Sequence, residues 1–323
     1  MLKNWLVVLL MMGLLMLPGC GSEDLAATVN GEPITMTELD EAADALRQSL
    51  VSGGFGGADS DDPEFQALIR SEALDNLIQE RVLLQELQRR GIELDFERAE
   101  EYVDMIRGIY GDEMFESILV SGGSNPERFL REYAFNQAIG ELYAEVTGDV
   151  QPDPEDIREA FELNPETFHQ GQASHILILL DWDTAPDEAV DDAQRRAADI
   201  LSRLNAGEDF AEVARETSDD GSAEQGGRLE QRFSMLESPF VDPFTVGALS
   251  LSEGEFTQEP VISQFGLHII RLDEKITDFE ELRPGVERYV TERRRDEVFR
   301  QFVNDLRDAA EVDILIEWVE EVE

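Results

Sequence analysis

Cysteine is almost missing from this sequence: Cys20 is the only one in 323 residues. A lone thiol excludes an intramolecular disulfide. Lysine is nearly as scarce, with only Lys3 and Lys275, so positive charge is otherwise carried by arginine. Against 26 basic residues stand 72 acidic ones, giving a net charge of −46. A field of that sign repels phosphate backbones and anionic lipid, which argues against a nucleic-acid partner. The same composition fits either a high-salt habitat, where self-repulsion is screened, or plain solubility with an arginine-favouring codon usage. The N-terminal apolar run Trp5–Leu17 falls short of the ~20 residues that a membrane-spanning helix needs. Hydrophobic residues still make up 42% of the chain. That is enough for real cores, and the length allows a leader plus about two domains.

The leader has a short basic start, Met1–Asn4, followed by that apolar run and then Leu17-Pro18-Gly19-Cys20. This order resembles a bacterial lipobox, in which cleavage before the cysteine leaves its thiol to be acylated. Residues 1–19 are therefore expected to be a lipoprotein signal peptide, with Gly21–Asp24 as a tether. The expected location is extracytoplasmic, lipid-anchored to a bacterial membrane.

Beyond the tether, Ala27–Val29 and Glu32–Ile34 flank Asn30-Gly31, a pairing that favours a type I′ hairpin. Thr37 with Asp40 reads as a helix start, and Leu39, Ala43, Leu46 and Leu50 follow at helical spacing. The Gly- and Asp-rich stretch 52–63 reads as a mobile loop. A long helix then carries Phe65 through Leu87 on one stripe and stops at Gly91. Phe96–Tyr110 and Pro126–Val146 are further amphipathic helices, and 151–164 reads as a linking helix. The texture then changes to an α+β segment. Ala173–Leu180 and Val261–Leu272 are strand-like, and Ala189–Leu204 and Phe210–Ser218 helical. A long helix from Phe279 to Val312 and a strand-like stub close the chain.

Five pieces of the α+β segment occur in a recognisable order. They are Ala173-Ser-His175-Ile-Leu-Ile178, Phe210-Ala-Glu-Val-Ala-Arg-Glu-Thr-Ser-Asp-Asp220, Ser222-Ala-Glu-Gln-Gly-Gly227, Gly254-Glu255 and Pro260-Val-Ile-Ser-Gln-Phe-Gly-Leu-His268-Ile-Ile270. Together they resemble the parvulin family of peptidyl-prolyl isomerases over residues 171–275. With the leader, the opening Val29-Asn-Gly-Glu-Pro-Ile-Thr35 and the terminal helix, the whole chain is similar to the PrsA/SurA class of extracytoplasmic foldases. The resemblance implies an α+β fold: a parvulin domain, a small antiparallel sheet with surrounding helices, inserted in a mainly helical SurA-N-like chaperone domain. The expected parts are residues 20–150 for the helical domain, 151–170 for the linking helix, 171–275 for the isomerase domain, and 276–323 packing back on the helical domain.

The resemblance also implies the site. His175 and His268 would sit side by side, Ser263 would fix one ring's tautomer, and Asp220 would lie beside them as a catalytic carboxylate. Leu229, Phe240 and Phe244 would grip the proline ring. No cofactor is implied, and a zinc site is disfavoured because the segment has no thiol and no short-spaced His/carboxylate pair. The implied partners are unfolded or partly folded exported proteins containing X-Pro bonds, together with the membrane through the anchor. Two departures lie on the pocket rim. Gly227-Arg228-Leu229-Glu230 stands where the family has Gly-Asp-Leu-Gly, and two extra residues lie between Phe233 and Phe240. They keep a second reading open, a binding-only holdase with a weakly active domain. The loop Asp181–Asp187 is acidic and would repel a phosphorylated substrate.

Overall fold

The computed structural model describes residues 24–54, 62–122 and 124–316. The leader, Cys20 and most of the expected loop 52–63 lie outside those residues. The chain divides into two compact units, residues 1–149 with 298–323, and residues 150–297.

In the first unit, β1 (Leu25–Val29) and β2 (Glu32–Thr35) form the hairpin. Both turn residues have positive φ, 52° at Asn30 and 82° at Gly31, as a type I′ turn requires. The terminal strand Val312–Ile314 pairs antiparallel on the other edge of β1, with Ala27 opposite Ile314. Helix α1 (Met36–Ser52) starts two residues earlier than the sequence suggested. Thr35, not Thr37, is its cap, and the Glu38 carboxylate accepts the Thr35 amide at 2.7 Å. Glutamate's extra methylene gives the reach back to the cap that Asp40 lacks. Helix α2 (Pro63–Arg90) begins at an Asp62 cap and ends at left-handed Gly91. Helices α3 (Phe96–Tyr110), α4 (Asp112–Ser121) and α5 (Pro126–Thr147) follow. α4 was not anticipated; Gly111, at φ 82°, ends α3 and starts it within one residue. Ala27, Val29, Ile34, Leu39, Leu74 and Ile78 form one core, joined by Leu306 and Val312. Leu83, Leu87, Ala138 and Leu142 form another, covered by Phe299, Phe302 and Val303.

The second unit contains α6 (Pro154–Leu163), α7 (Pro165–Phe168), β3 (Gln170–Leu179), α8 (Asp187–Asn205), α9 (Phe210–Thr217), α10 (Asp242–Leu249), β4 (Val261–Ser263) and β5 (Gly266–Ile276). Helix α11 (Phe279–Ala309) and strand β6 (Val312–Ile314), the terminal strand above, complete the chain. The sheet is antiparallel in the order β3-β5-β4. Side chains alternate across it, as the pleat dictates. Ile176, Ile178, Leu267 and Ile269 meet Ile200, Leu204 and Val213 of α8 and α9. Ala173, Ile270 and Leu272 face Phe233, Phe244 and Ala248 on the opposite side.

The C-terminal helix, expected to pack back on the helical domain from residue 276, is shared between the two units. Its stretch up to Glu297 belongs to the second unit. Leu282, Val286 and Tyr289 pack there with Ile157, Phe161 and Phe168 of α6 and α7. The apolar positions of α11 fall in two lengths, 279–290 and 298–306, separated by the polar stretch 291–297, and each length covers a different core.

Candidate active site

β3 and β5 run side by side with His175 opposite Ile270 and Leu177 opposite His268. This register sets the two histidines one diagonal step apart on the same face. Their Nδ1 atoms are 3.3 Å apart, and the rings lie 20° from parallel. The Ser263 hydroxyl is 2.7 Å from His268 Nε2, and Asp220 Oδ1 is 3.2 Å from His175 Nε2. The four residues that the resemblance singled out therefore form one connected group. Both histidines and Ser263 are buried, and Asp220 is about one-third exposed at its side chain (32%).

Gly227 is what allows His175 into this position. The His175 amide donates to the Gly227 carbonyl at 2.8 Å. Gly227 has φ 78°, and a Cβ there would lie 2.2 Å from the His175 carbonyl oxygen. Only a residue without a side chain fits so close to the strand. The next residues continue alongside β3, with the Leu229 amide donating to the Ala173 carbonyl and Gln172 reaching the carbonyls of Leu229 and Glu230. Arg228 and Glu230, the departures on the rim, both point outward.

Burial lowers the pKa of both imidazoles. For His175 it outweighs the Asp220 carboxylate, which acts to raise the ring's pKa. His268 is brought down to about 4, by burial first and then by proximity to His175. Burial pushes Asp220 up, yet the Ser222 hydroxyl and amide, with His175, hold it at about 2. At neutral pH the group is thus two neutral rings beside one carboxylate.

The tautomers follow from that charge pattern. A lone pair on His175 Nε2 would face the carboxylate, so that nitrogen carries the proton. Its approach to Asp220 is off the N–H axis and is electrostatic more than a hydrogen bond. His175 Nδ1 must then accept from His268 Nδ1, and His268 Nε2 must accept from the Ser263 hydroxyl. The Ser263 oxygen in turn accepts the Phe265 amide at 3.1 Å. Every donor in the chain points the same way, toward Asp220.

An aromatic cluster adjoins this group. The Phe244 ring stands edge-on to both histidines, at 5.6 Å and 5.7 Å between centroids. Phe240 is 4.9 Å from Phe244, and Leu229 packs against the same cluster. Phe233 was missed from sequence. It is buried, edge-on to Phe240 and 6.0 Å from Phe244. The two extra residues before Phe240 form a tight turn in which the Ser234 amide donates to the Glu237 carbonyl at 2.7 Å. Among the described residues, no group of three His, Cys, Asp or Glu side chains could hold a metal ion.

Residues 175–274 match the PPIC-type PPIASE domain, and residues 3–142 match the SurA-like N-terminal domain. The chain thus carries a PPIC-type peptidyl-prolyl isomerase domain behind a SurA-like N-terminal domain. It is 28% identical over 299 residues to the Foldase protein PrsA of Caldanaerobacter subterraneus subsp. tengcongensis, covering 90% of this chain and 87% of that protein. It is 29% identical over 317 residues to the Foldase protein PrsA of a Clostridium botulinum strain, covering 91% and 89%. Among solved structures, foldase protein PrsA from Streptococcus pneumoniae is similar at TM-score 0.47 and 15% identity, covering 90% of this chain and 93% of that one. The isomerase domain holds every sequence-predicted site residue except Cys20, which lies outside the described residues. Among those residues, no helix is long and apolar enough to cross a membrane.

Proposed function

We propose that this protein is an extracytoplasmic foldase that catalyses cis/trans isomerisation of X-Pro bonds in exported proteins, with chaperone activity from its helical unit. The observation that carries the catalytic reading is the neutral His175–His268 pair edge-on to Phe244. Rotation about the X-Pro amide meets a barrier of roughly 18–20 kcal/mol because the planar amide is resonance-stabilised. No bond needs to break, so binding the twisted amide more tightly than the planar one is sufficient. Twisting confines the nitrogen lone pair and weakens the carbonyl dipole. An apolar pocket of Phe233, Phe240 and Phe244 therefore favours the twisted form over the water-seeking planar one. Neutral imidazoles suit that role better than charged ones, which would stabilise the polar planar amide. Asp220, ionised at neutral pH, fixes the direction of the hydrogen-bond chain.

The full chain is expected to accelerate exchange in a short X-Pro peptide, measured by two-dimensional NMR exchange. Phe244→Ala is expected to raise KM through lost contact with the ring. A wild-type chain that leaves the exchange rate unchanged would sink the catalytic reading. The holdase reading has an observation of its own, a groove of about 710 Å3 in the helical unit. Leu77, Leu84, Leu94, Phe96 and Phe135 line it, with Glu38, Glu132, Arg81 and Arg128 among its charged residues. Suppression of client aggregation that survives loss of His175 and His268 supports that activity as separate. For location, we infer acylation at Cys20. Cys20→Ala is expected to move the protein from the detergent to the aqueous phase.

A further inference from the structure

We propose that Trp182 is a positioning residue of the isomerase site, holding Ser263 where its hydroxyl meets His268. This rests on the reading of the histidine pair given above. β4 is only three residues long and, within its sheet, pairs with β5 alone. Its last residue, Ser263, pairs with Gly266 across a two-residue turn and has no strand on its other side. The Trp182 indole N–H donates to the Ser263 carbonyl at 2.7 Å. That bond crosses from the loop after β3 to the last residue of β4.

The loop is built to present the indole. Asp181 accepts from the Asp183 amide at 3.1 Å and from the Thr184 hydroxyl at 2.7 Å, and its carbonyl accepts the Ala185 amide at 2.8 Å. These bonds close a turn around Trp182. A second tie runs beside the first, from the Leu180 amide to the Phe265 carbonyl at 3.1 Å. Ser263 is thus held at its carbonyl by the indole and at its oxygen by the Phe265 amide. Its O–H is left to point at His268 Nε2. With the indole bond gone, Ser263 loses the tie on its carbonyl, and the small rotation this permits is enough for the hydroxyl to leave the ring nitrogen. His268 can then carry its proton on Nε2, which removes the donor that His175 Nδ1 needs. The hydrogen bond of Trp182 ends on Ser263, so its influence on the site runs through that residue.

The test compares Trp182→Phe, which keeps an aromatic ring and removes the donor, with Ser263→Ala and the double variant, all in the full chain. With an X-Pro peptide, Trp182→Phe is expected to lower kcat about fivefold, the scale of one lost hydrogen bond. KM should stay within about twofold, because the proline pocket is not touched. Ser263→Ala should give a similar loss, and the double variant no further one. In 15N spectra of the histidine rings, His268 Nε2 should move from the unprotonated toward the protonated range in both single variants. A Trp182→Phe loss that persists undiminished in the Ser263→Ala background overturns the proposal. So does a lowered melting temperature with unchanged kcat and an unmoved His268 signal. If the wild-type chain accelerates no X-Pro exchange, the catalytic reading fails on its own, and the His268 signal then decides whether Trp182 positions the ring.

Discussion

Each unit holds a three-stranded antiparallel sheet, and the two sheets bury different things. The β2-β1-β6 sheet buries Ala26, Ala27, Val29 and Ile34, all apolar. The β3-β5-β4 sheet buries Ser174, His175, Ser263 and His268 among its apolar residues. Burying a polar group costs free energy unless it is hydrogen-bonded, so a concentration of them in one sheet needs a reason beyond stability. Ser174 is satisfied by Asp273 at 2.6 Å, away from the pocket. The other three converge beside Phe244 and form one chain of donors. One sheet therefore closes a core, while the other also holds a polar group in apolar surroundings, the arrangement that shifts pKa values at working sites.

The largest expected effect tests how separate the units are. Truncation after Glu297 removes Phe299, Phe302, Val303, Leu306 and Val312 from the first unit's two cores. At roughly 1 kcal/mol or more for each buried apolar side chain, the loss approaches the whole stability of a small domain. It also removes the Arg307–Asp75 pair and the edge strand β6. Hydrogen exchange is expected to show residues 24–149 unprotected and residues 170–276 still protected. Truncation after Ile276 should harm both units, because Leu282, Val286 and Tyr289 pack on α6 and α7. Equal damage to both units from the shorter truncation would break the comparison.

That division of the terminal helix was not legible in the sequence. A helical stripe announces that it needs a partner but not which one, and α11 has two. The site was more legible, because His175, Asp220, Ser263 and His268 each sit in a motif whose order can be checked. Phe233 and Trp182 were hidden for a common reason. The Phe233 backbone bonds to Gly171, and Trp182 bonds to the Ser263 carbonyl. A backbone partner leaves no mark on residue identity. Helix α4 was obscured because Met114 and Ile118 are exposed while Phe115 and Leu119 are buried, which blurs its apolar period. The cap of α1 was misplaced by two residues because Thr35 and Thr37 both precede a carboxylate by three positions.

An intermediate effect follows from the neutral histidines. His268 titrates at about 4 in the folded chain and His175 is also lowered, both below the ordinary 6.5. Above pH 6.5 both rings are neutral whether folded or unfolded, and the stability of the second unit is complete. As pH falls through 6.5 the unfolded chain takes up protons that the folded one refuses, so stability declines. The histidine contribution levels off below about 4, and Asp220, at about 2 against an ordinary 3.8, extends the decline further. For His268 alone the loss is on the order of 3 kcal/mol across that window. Urea midpoints of the second unit should fall between pH 7 and 4, and the His268→Asn variant should show a shallower fall. A pH-independent midpoint, or an equal slope in the variant, would mean that the rings are not buried neutral.

The smallest effect concerns Lys275, the one lysine among the described residues. Its ammonium donates to the carbonyls of Leu249 at 2.7 Å and Leu251 at 2.9 Å. Leu249 ends α10, and carbonyls at a helix C-terminus have no partner within the helix. A cation there satisfies them and complements the negative end of the helix dipole. The first unit closes a comparable end with backbone bonds, since α2 stops at left-handed Gly91, whose amide bonds back to Gln88 and Leu87, with Arg89 and Arg90 in the last turn. Lys275→Met keeps most of the aliphatic stem and removes the donors. The expected cost to the second unit is about 1.5–3 kcal/mol, the range for hydrogen bonds to a charged group. Because α10 carries Phe244, a modest rise in KM for X-Pro peptides should accompany it, with kcat little changed. His169 supplies an internal control: burial and the nearby Lys275 both lower its pKa, so it should rise in the variant. If His169 rises while the urea midpoint of the second unit stays put, the ammonium is not what holds the end of α10.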